Sequence, residues 1–271
     1  DNYYYVDVNG VMAANQWVAI DNEDAGDDDE PEHYWYYFQA NGKALKQGDS
    51  DTVSLKTVNG KKYAFDDEGK MLYGWVSSDN AERIDNTDDD AFKDGVYYFG
   101  GEDDGAMTTG WLLIDVSYDE ATNDDYKYTA PTFNDDDDQT RWFYFKSNGK
   151  RAENEKITYK GKTYYFDTDG KMLTGWVTTT SDKKENVNEA TDFEDGHTFY
   201  CDETGARVEG AWVKDTEPGT DDDDADADEY WYYLKKATGK PATGKQSNIN
   251  GQIYLFNEEG QMQYGWVARS D

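Results

Sequence analysis

Carboxylates dominate the chemistry this chain offers. It has 59 Asp and Glu against 26 Lys and Arg, a formal net charge of −33 over 271 residues. They gather in runs: Asp27, Asp28 and Asp29; Asp88, Asp89 and Asp90; Asp135, Asp136, Asp137 and Asp138; Asp221, Asp222, Asp223 and Asp224. Hard cations such as Ca²⁺ take six to eight oxygen ligands, which clustered carboxylates supply, so these aspartates are candidate metal ligands. None of the runs has the alternating acid–spacer pattern of an EF-hand loop. The expected form is therefore several weak sites, and the competing reading is a set of solvated loops that repel other chains.

Other chemistries have little to stand on. His33 and His197 are the two histidines and Cys201 the one cysteine, so no intrachain disulfide and no thiolate cluster exist. Cys201 falls where an equivalent segment has Phe99, which predicts a small buried strand residue rather than a nucleophile. Carboxylates in exposed runs lack environments that would separate their pKa values, as acid–base catalysis needs. The expectation is no enzyme. A nucleic-acid partner is excluded by charge, since binding phosphates needs a basic face. No run of about 18 apolar residues is present to span a membrane as a helix.

The acids lie mostly between elements, in segments 21–32, 79–94, 115–138, 182–195 and 215–229, while the aromatics lie within a repeat. "NGKKYAFDDEGKMLYGWV" (59–76) returns as "KGKTYYFDTDGKMLTGWV" (160–177) and "NGQIYLFNEEGQMQYGWV" (250–267). Two further unit types precede each copy. The first is seen in "YYYVDVNGVMAANQW" (3–17) and "YYFGGEDDGAMTTGW" (97–111), the second in "YWYYFQANGKAL" (34–45) and "RWFYFKSNGKRA" (141–152). The order holds three times, giving nine units in super-repeats 1–78, 79–179 and 180–271, and every Trp sits at a repeat position. Because the first and last residues match consecutive parts of the pattern, a segment of a longer array is expected.

Each unit reads as a β-hairpin. Residues 162–166 (KTYYF) alternate aromatics as a strand does, 167–170 (DTDG) supply a turn, and 171–177 (KMLTGWV) a return strand. One hairpin is marginal in water, whereas stacked neighbours bury a continuous aromatic face. The predicted fold is an all-β solenoid of about nine stacked hairpins, with the acidic connectors outside the spine. Gly74, Gly110, Gly175 and Gly265 precede Trp, and close approach of a neighbouring ring is the expected reason. Trp75, Trp176 and Trp266 are expected in the core.

"GWV", an interval, "WYYF", then "NGK" or "DGKM" resembles the choline-binding and glucan-binding repeats of Gram-positive surface proteins and the related cell-wall-binding repeats. The resemblance covers the chain apart from the acidic segments. It implies secretion, attachment to a cell-wall polymer or polysaccharide, and ligands held in grooves between successive units. In its choline-binding branch a quaternary ammonium sits in an aromatic cage, by cation–π attraction to desolvated rings. Carried onto this sequence, the half-cages are Trp17 with Trp35, Trp111 with Trp142, and Trp212 with Trp231. A third wall comes from the next unit, but no Gly-Trp follows the second unit type. At the junction from third to first type the partner positions hold Val96 and His197, so cages there are incomplete. A neutral glucan stacking on the same rings avoids the repulsion that −33 imposes on an anionic polymer, and the residues leave both ligands open. The alternative is a structural role: a spacer or fibre made with copies of itself, its acidic loops holding Ca²⁺.

Overall fold

Alternation of aromatic and polar residues makes strands here, and pairs of residues with positive φ turn them. In the computed structural model, residues 1–27, 30–79, 81–84, 91–115, 120–121, 140–180 and 186–270 are described. They fall into two compact units, 1–151 and 152–270. In the first, β1 (Gln16–Asp21) pairs with β2 (His33–Phe38), β3 (Lys56–Val58) with β4 (Lys61–Tyr63), and β5 (Trp75–Val76) with β6 (Tyr97–Tyr98). A one-turn helix, α1 (Ala91–Asp94), lies between the last two. β7 (Gly110–Asp115) pairs with both β8 (Glu120–Ala121) and β9 (Thr140–Phe145).

The second unit repeats the scheme. β10 (Glu155–Tyr159) pairs with β11 (Lys162–Phe166), and β12 (Gly175–Thr180) with both β13 (Asn186–Glu189) and β14 (Thr198–Cys201). β15 (Ala211–Thr216) pairs with β16 (Glu229–Leu234), and β17 (Gly244–Ile249) with β18 (Gln252–Phe256). All these pairings are antiparallel. The fold is the expected all-β stack of hairpins.

The phase of the hairpin is corrected. Lys162–Phe166 pairs with the preceding β10 across Lys160-Gly161, both at positive φ (45° and 78°). Asn59-Gly60 and Asn250-Gly251 turn the same way, as a two-residue hairpin loop requires. The DTDG turn exists too, with Gly170 at φ 78°, but beyond it the return strand makes one bridge, Phe166 to Met172, and leaves. The strands carrying Trp17, Trp75, Trp111, Trp176 and Trp212 then each pair forward with the aromatic strand of the next unit. Nine sequence units therefore give eight sheets among the described residues.

What diverts the return strand is the spine. Met71 N–H donates to Trp35 O (2.8 Å), Met107 N–H to Lys62 O (2.8 Å), Arg207 N–H to Thr163 O (2.8 Å) and Met262 N–H to Trp231 O (2.9 Å). One residue per turn thus bonds back to the previous hairpin. Its side chain reaches forward, onto the turn glycine of the next unit: a Cβ on Gly105 would lie 2.6 Å from the Met71 sulfur and one on Gly239 2.7 Å from Arg207, and Met172 meets Gly205 in the same way at 2.5 Å. Close approach therefore explains Gly42, Gly105, Gly149 and Gly205. It does not explain the glycines before Trp, which corrects the sequence reading. Around Gly110, Gly175 and Gly265 nothing lies within 4 Å of such a Cβ, and their φ values of 83°, 68° and 77° are what demand glycine.

Two of the acidic connectors also enter the core, contrary to expectation. Ala91 and Phe92 of α1 are buried against Trp75, Tyr98 and Phe143, and Val187 against Tyr165 and Val177. The buried Arg151 donates to the Phe92 and Lys93 carbonyls, taking up acceptors that a one-turn helix leaves open. Trp75 and Trp176 are buried as expected, whereas Trp266 is exposed, contrary to expectation.

Candidate functional site

Strand register decides which rings meet. Trp17 lies opposite Tyr37 and Ala19 opposite Trp35, so Trp17 and Trp35 share a face on a diagonal. Trp111 with Tyr144 and Leu113 with Trp142 repeat this, as do Trp212 with Tyr233 and Lys214 with Trp231. The Trp111–Trp142 centroids are 6.4 Å apart at 84°, and the Trp212–Trp231 centroids 6.5 Å apart at 85°. All three predicted pairs are brought onto one face of a hairpin.

The ring supplied by the next hairpin is one the sequence reading missed. Tyr63 meets Trp17 at 4.8 Å and 62°, and Tyr254 meets Trp212 at 4.8 Å and 63°. Phe65 and Phe256 stack under the same tryptophans at 5.9 and 5.7 Å. These rings come from β4 and β18 and the residues just after β4, in "KYAF" and "YLF". The signal was the alternating aromatic three residues beyond the Asn-Gly turns at 59–60 and 250–251, not a Gly-Trp.

The pairs differ in access. Trp111 and Trp142 are 1% and 4% exposed and belong to the interior. Trp17, Trp35 and Trp212 are half-buried, and Trp231 is 42% exposed. The first and third pairs therefore present half-open aromatic faces, each with a tyrosine of the next hairpin against its first tryptophan. Their electrostatics differ as well. Asp103 Oδ1 accepts from Trp35 Nε1 at 3.0 Å and lies 2.8 Å from His33 Nε2. The indole bond, then the imidazole, holds the Asp103 carboxyl below its ordinary range, so it stays ionised. At the third pair the Lys214 ammonium lies 5.9 Å from the Trp231 ring centroid.

At the junction from third to first type, β5–β6 and β12–β14 hold Val96 and Thr198 where the others hold the second Trp. Trp176 lies opposite Tyr200, so Thr198 and not His197 is the diagonal residue. No cage forms at either place. Trp176 instead donates through Nε1 to Thr216 O at 2.8 Å, and Tyr200 Oη donates to Asp215 Oδ2 at 2.5 Å. Burial first, then this carboxylate, pushes the Tyr200 hydroxyl far up. Cys201 is a buried residue of β14 whose thiol burial likewise drives up, so it offers no thiolate.

Of the proposed metal ligands, Asp28, Asp29, Asp88, Asp89, Asp90, Asp135, Asp136, Asp137 and Asp138 lie outside the described residues. Asp27 is exposed, and Asp221, Asp222, Asp223 and Asp224 are exposed on the turns before β16. Among the described residues no three His, Cys, Asp or Glu side chains form a group able to hold a metal ion. No described helix is long and apolar enough to cross a membrane.

A stack of aromatic hairpins with a Trp pair recurring at one kind of junction defines a repeat module. The chain carries repeats similar to the cell-wall-binding repeats of the choline-binding and glucan-binding kind. The family model described as a cell wall binding repeat matches residues 137–150 and 157–172. Glucosyltransferase-S of Streptococcus mutans serotype c is 28% identical over 265 residues, 98% of this chain and 13% of that protein. Glucosyltransferase-I of Streptococcus downei is 30% identical over 241 residues, 87% of this chain and 12% of that protein. The chain thus spans about an eighth of these relatives' length. Among solved structures, the choline-binding domain of CbpL from Streptococcus pneumoniae matches with a TM-score of 0.50 at 20% identity, covering 98% of this chain and 94% of that one. That likeness concerns the fold.

Proposed function

We propose that the chain is a non-catalytic, extracellular binding module that holds a cell-wall polymer or polysaccharide on a Gram-positive surface. The observation that carries this reading is the half-open aromatic face built twice from different stretches of sequence, Trp17–Trp35–Tyr63 and Trp212–Trp231–Tyr254. Rings spaced like these and left half-open are costly to leave in water unless something covers them. They offer π faces to an organic cation or to the apolar face of a sugar. The relatives' names supply the second support, because the large glucosyltransferases contain a stretch similar to most of this chain. Catalysis in such proteins is assigned here to parts that this chain does not cover.

The test is titration calorimetry with tryptophan fluorescence against choline, an α-glucan and a β-glucan. Binding to at least one of them is expected, with loss of signal in Trp35→Ala or Trp231→Ala. No response to any of the three overturns the reading.

A further inference from the structure

The two open cages share their rings and differ in charge. Trp17 and Trp212 are covered alike, by Tyr37 and Tyr233 at 5.2 Å each and by Tyr63 and Tyr254 at 4.8 Å each. Opposite the second tryptophan, however, stands exposed Ala19 in one and Lys214 in the other. We infer that Lys214 sets the ligand's charge: its ammonium takes the place of an external cation at Trp212–Trp231, reserving that cage for a neutral sugar ring, while Trp17–Trp35 receives an organic cation. This deepens the binding reading and rests on it.

Three observations support the assignment. The first is reach: at 5.9 Å from the ring centroid the Lys214 ammonium is within the range at which a cation is drawn to an indole face. A second cation in the same cage meets a like charge instead of an empty quadrupole. The second is tethering. Lys214 sits directly across the ladder from Trp231, so its charge is present at the ring without any loss of translational freedom, an advantage no free cation has. Glu229, further along the same face, forms no ion pair with it among the described residues. The third lies at the other cage, where the charge is reversed. Ala19 brings none, and the rim carries the Asp103 carboxylate, fixed by Trp35 Nε1 and facing His33. A carboxylate beside an aromatic cage favours a cation; an ammonium inside one opposes it. A neutral sugar is indifferent to both and needs only the ring face.

The test counts choline sites. Calorimetry on the full chain should give one choline site, lost in Trp35→Ala and retained in Trp231→Ala. Lys214→Met, which keeps the aliphatic stem but removes the charge, should add a second site, and Trp231→Ala in that background should remove it. Ala19→Lys should weaken the first site about tenfold. α-Glucan oligosaccharide binding should persist in Trp35→Ala and fall in Trp231→Ala. Two choline sites in the unaltered chain, or no gain in Lys214→Met, overturn the role of Lys214 while leaving the binding reading intact. If no probe binds any form, the binding reading fails and this inference with it. An unchanged far-ultraviolet spectrum in each variant separates loss of binding from loss of fold.

Discussion

Trp17 and Trp75 hold equivalent places opposite a tyrosine, the one after Asn15 and the other after Gly74, both at positive φ, yet one is half-open and the other has no exposed surface. Both meet a cross-strand tyrosine edge-on, Tyr37 at 5.2 Å and Tyr98 at 5.4 Å. What differs is the connector between the paired strands. After β1 its residues Glu23–Asp27 are exposed. After β5 it sends back α1, whose Phe92 packs on Phe143 at 6.1 Å and joins the cluster around Trp75. Gly95 follows immediately, so close that a Cβ there would collide with the Trp75 ring. An aromatic repeat motif is thus neither core nor binding site by itself. The inserted connector decides which it becomes.

The largest effect should come from the sealed side. Trp75→Ala removes a fully buried ring and should cost about 3–5 kcal/mol in chemical denaturation. Trp17→Ala, half-exposed to begin with, should cost about half as much. Equal losses would show that the two junctions do not differ. Phe92→Ala sharpens the comparison, because it turns the sealed junction towards the open one. It should cost about 3 kcal/mol and make the tryptophan fluorescence more accessible to a collisional quencher. Unchanged quenching would mean that α1 is not the cover.

A smaller effect separates two kinds of glycine. Gly175→Ala meets open space and bears only the strain of φ 68°, which is about 1–2 kcal/mol. Gly205→Ala carries similar strain at φ 83° and also meets the Met172 sulfur. It should therefore be the more damaging of the two, and its loss should be non-additive with Met172→Ala in a double-mutant cycle. Strict additivity would remove Met172 from the contact.

The repeat, its aromatic faces and the Trp pairs were legible in the residues, because period-2 alternation and positive-φ glycines are local signals. The hairpin phase was not. Lys160-Gly161 and the turn ending at Gly170 are both real turns, and only the backbone bonds from Met71, Met107 and Arg207 to the previous hairpin reveal which one continues as a ladder. Those bonds join residues more than 30 positions apart, as Met71 to Trp35 does, and no window of sequence contains them. Ala91 and Phe92 escaped for another reason: two apolar residues in an acidic segment leave almost no pattern. Tyr63 and Tyr254 were visible as strand residues, but their place against Trp17 and Trp212 depended on the phase. Lys214 could be seen only as one lysine until the register set it opposite Trp231.

The smallest effect concerns pH, and it compares turns rather than junctions. Asp66 and Asp167 open equivalent turns, each accepting two backbone N–H bonds through Oδ1, from Glu68 and Lys70 and from Asp169 and Lys171. Burial nonetheless raises both pKa values above the ordinary aspartate value of 3.8, because desolvation outweighs those bonds. A carboxyl whose folded pKa is raised holds its proton more tightly in the folded state. Its contribution to stability is complete below the unfolded pKa and is lost as pH rises through the folded one. Stability should therefore increase on acidification from neutral towards the carboxylate range, as far as these two groups decide it. The third copy of the turn supplies the control. Asn257 accepts the same two bonds, from Glu259 at 3.0 Å and Gln261 at 2.9 Å, with no charge to desolvate. Asp66→Asn with Asp167→Asn should keep the turn, raise stability near pH 7 and flatten the pH dependence between about pH 4 and 7. A doubly substituted chain whose denaturation midpoint still climbs as steeply on acidification would place the titrating groups elsewhere.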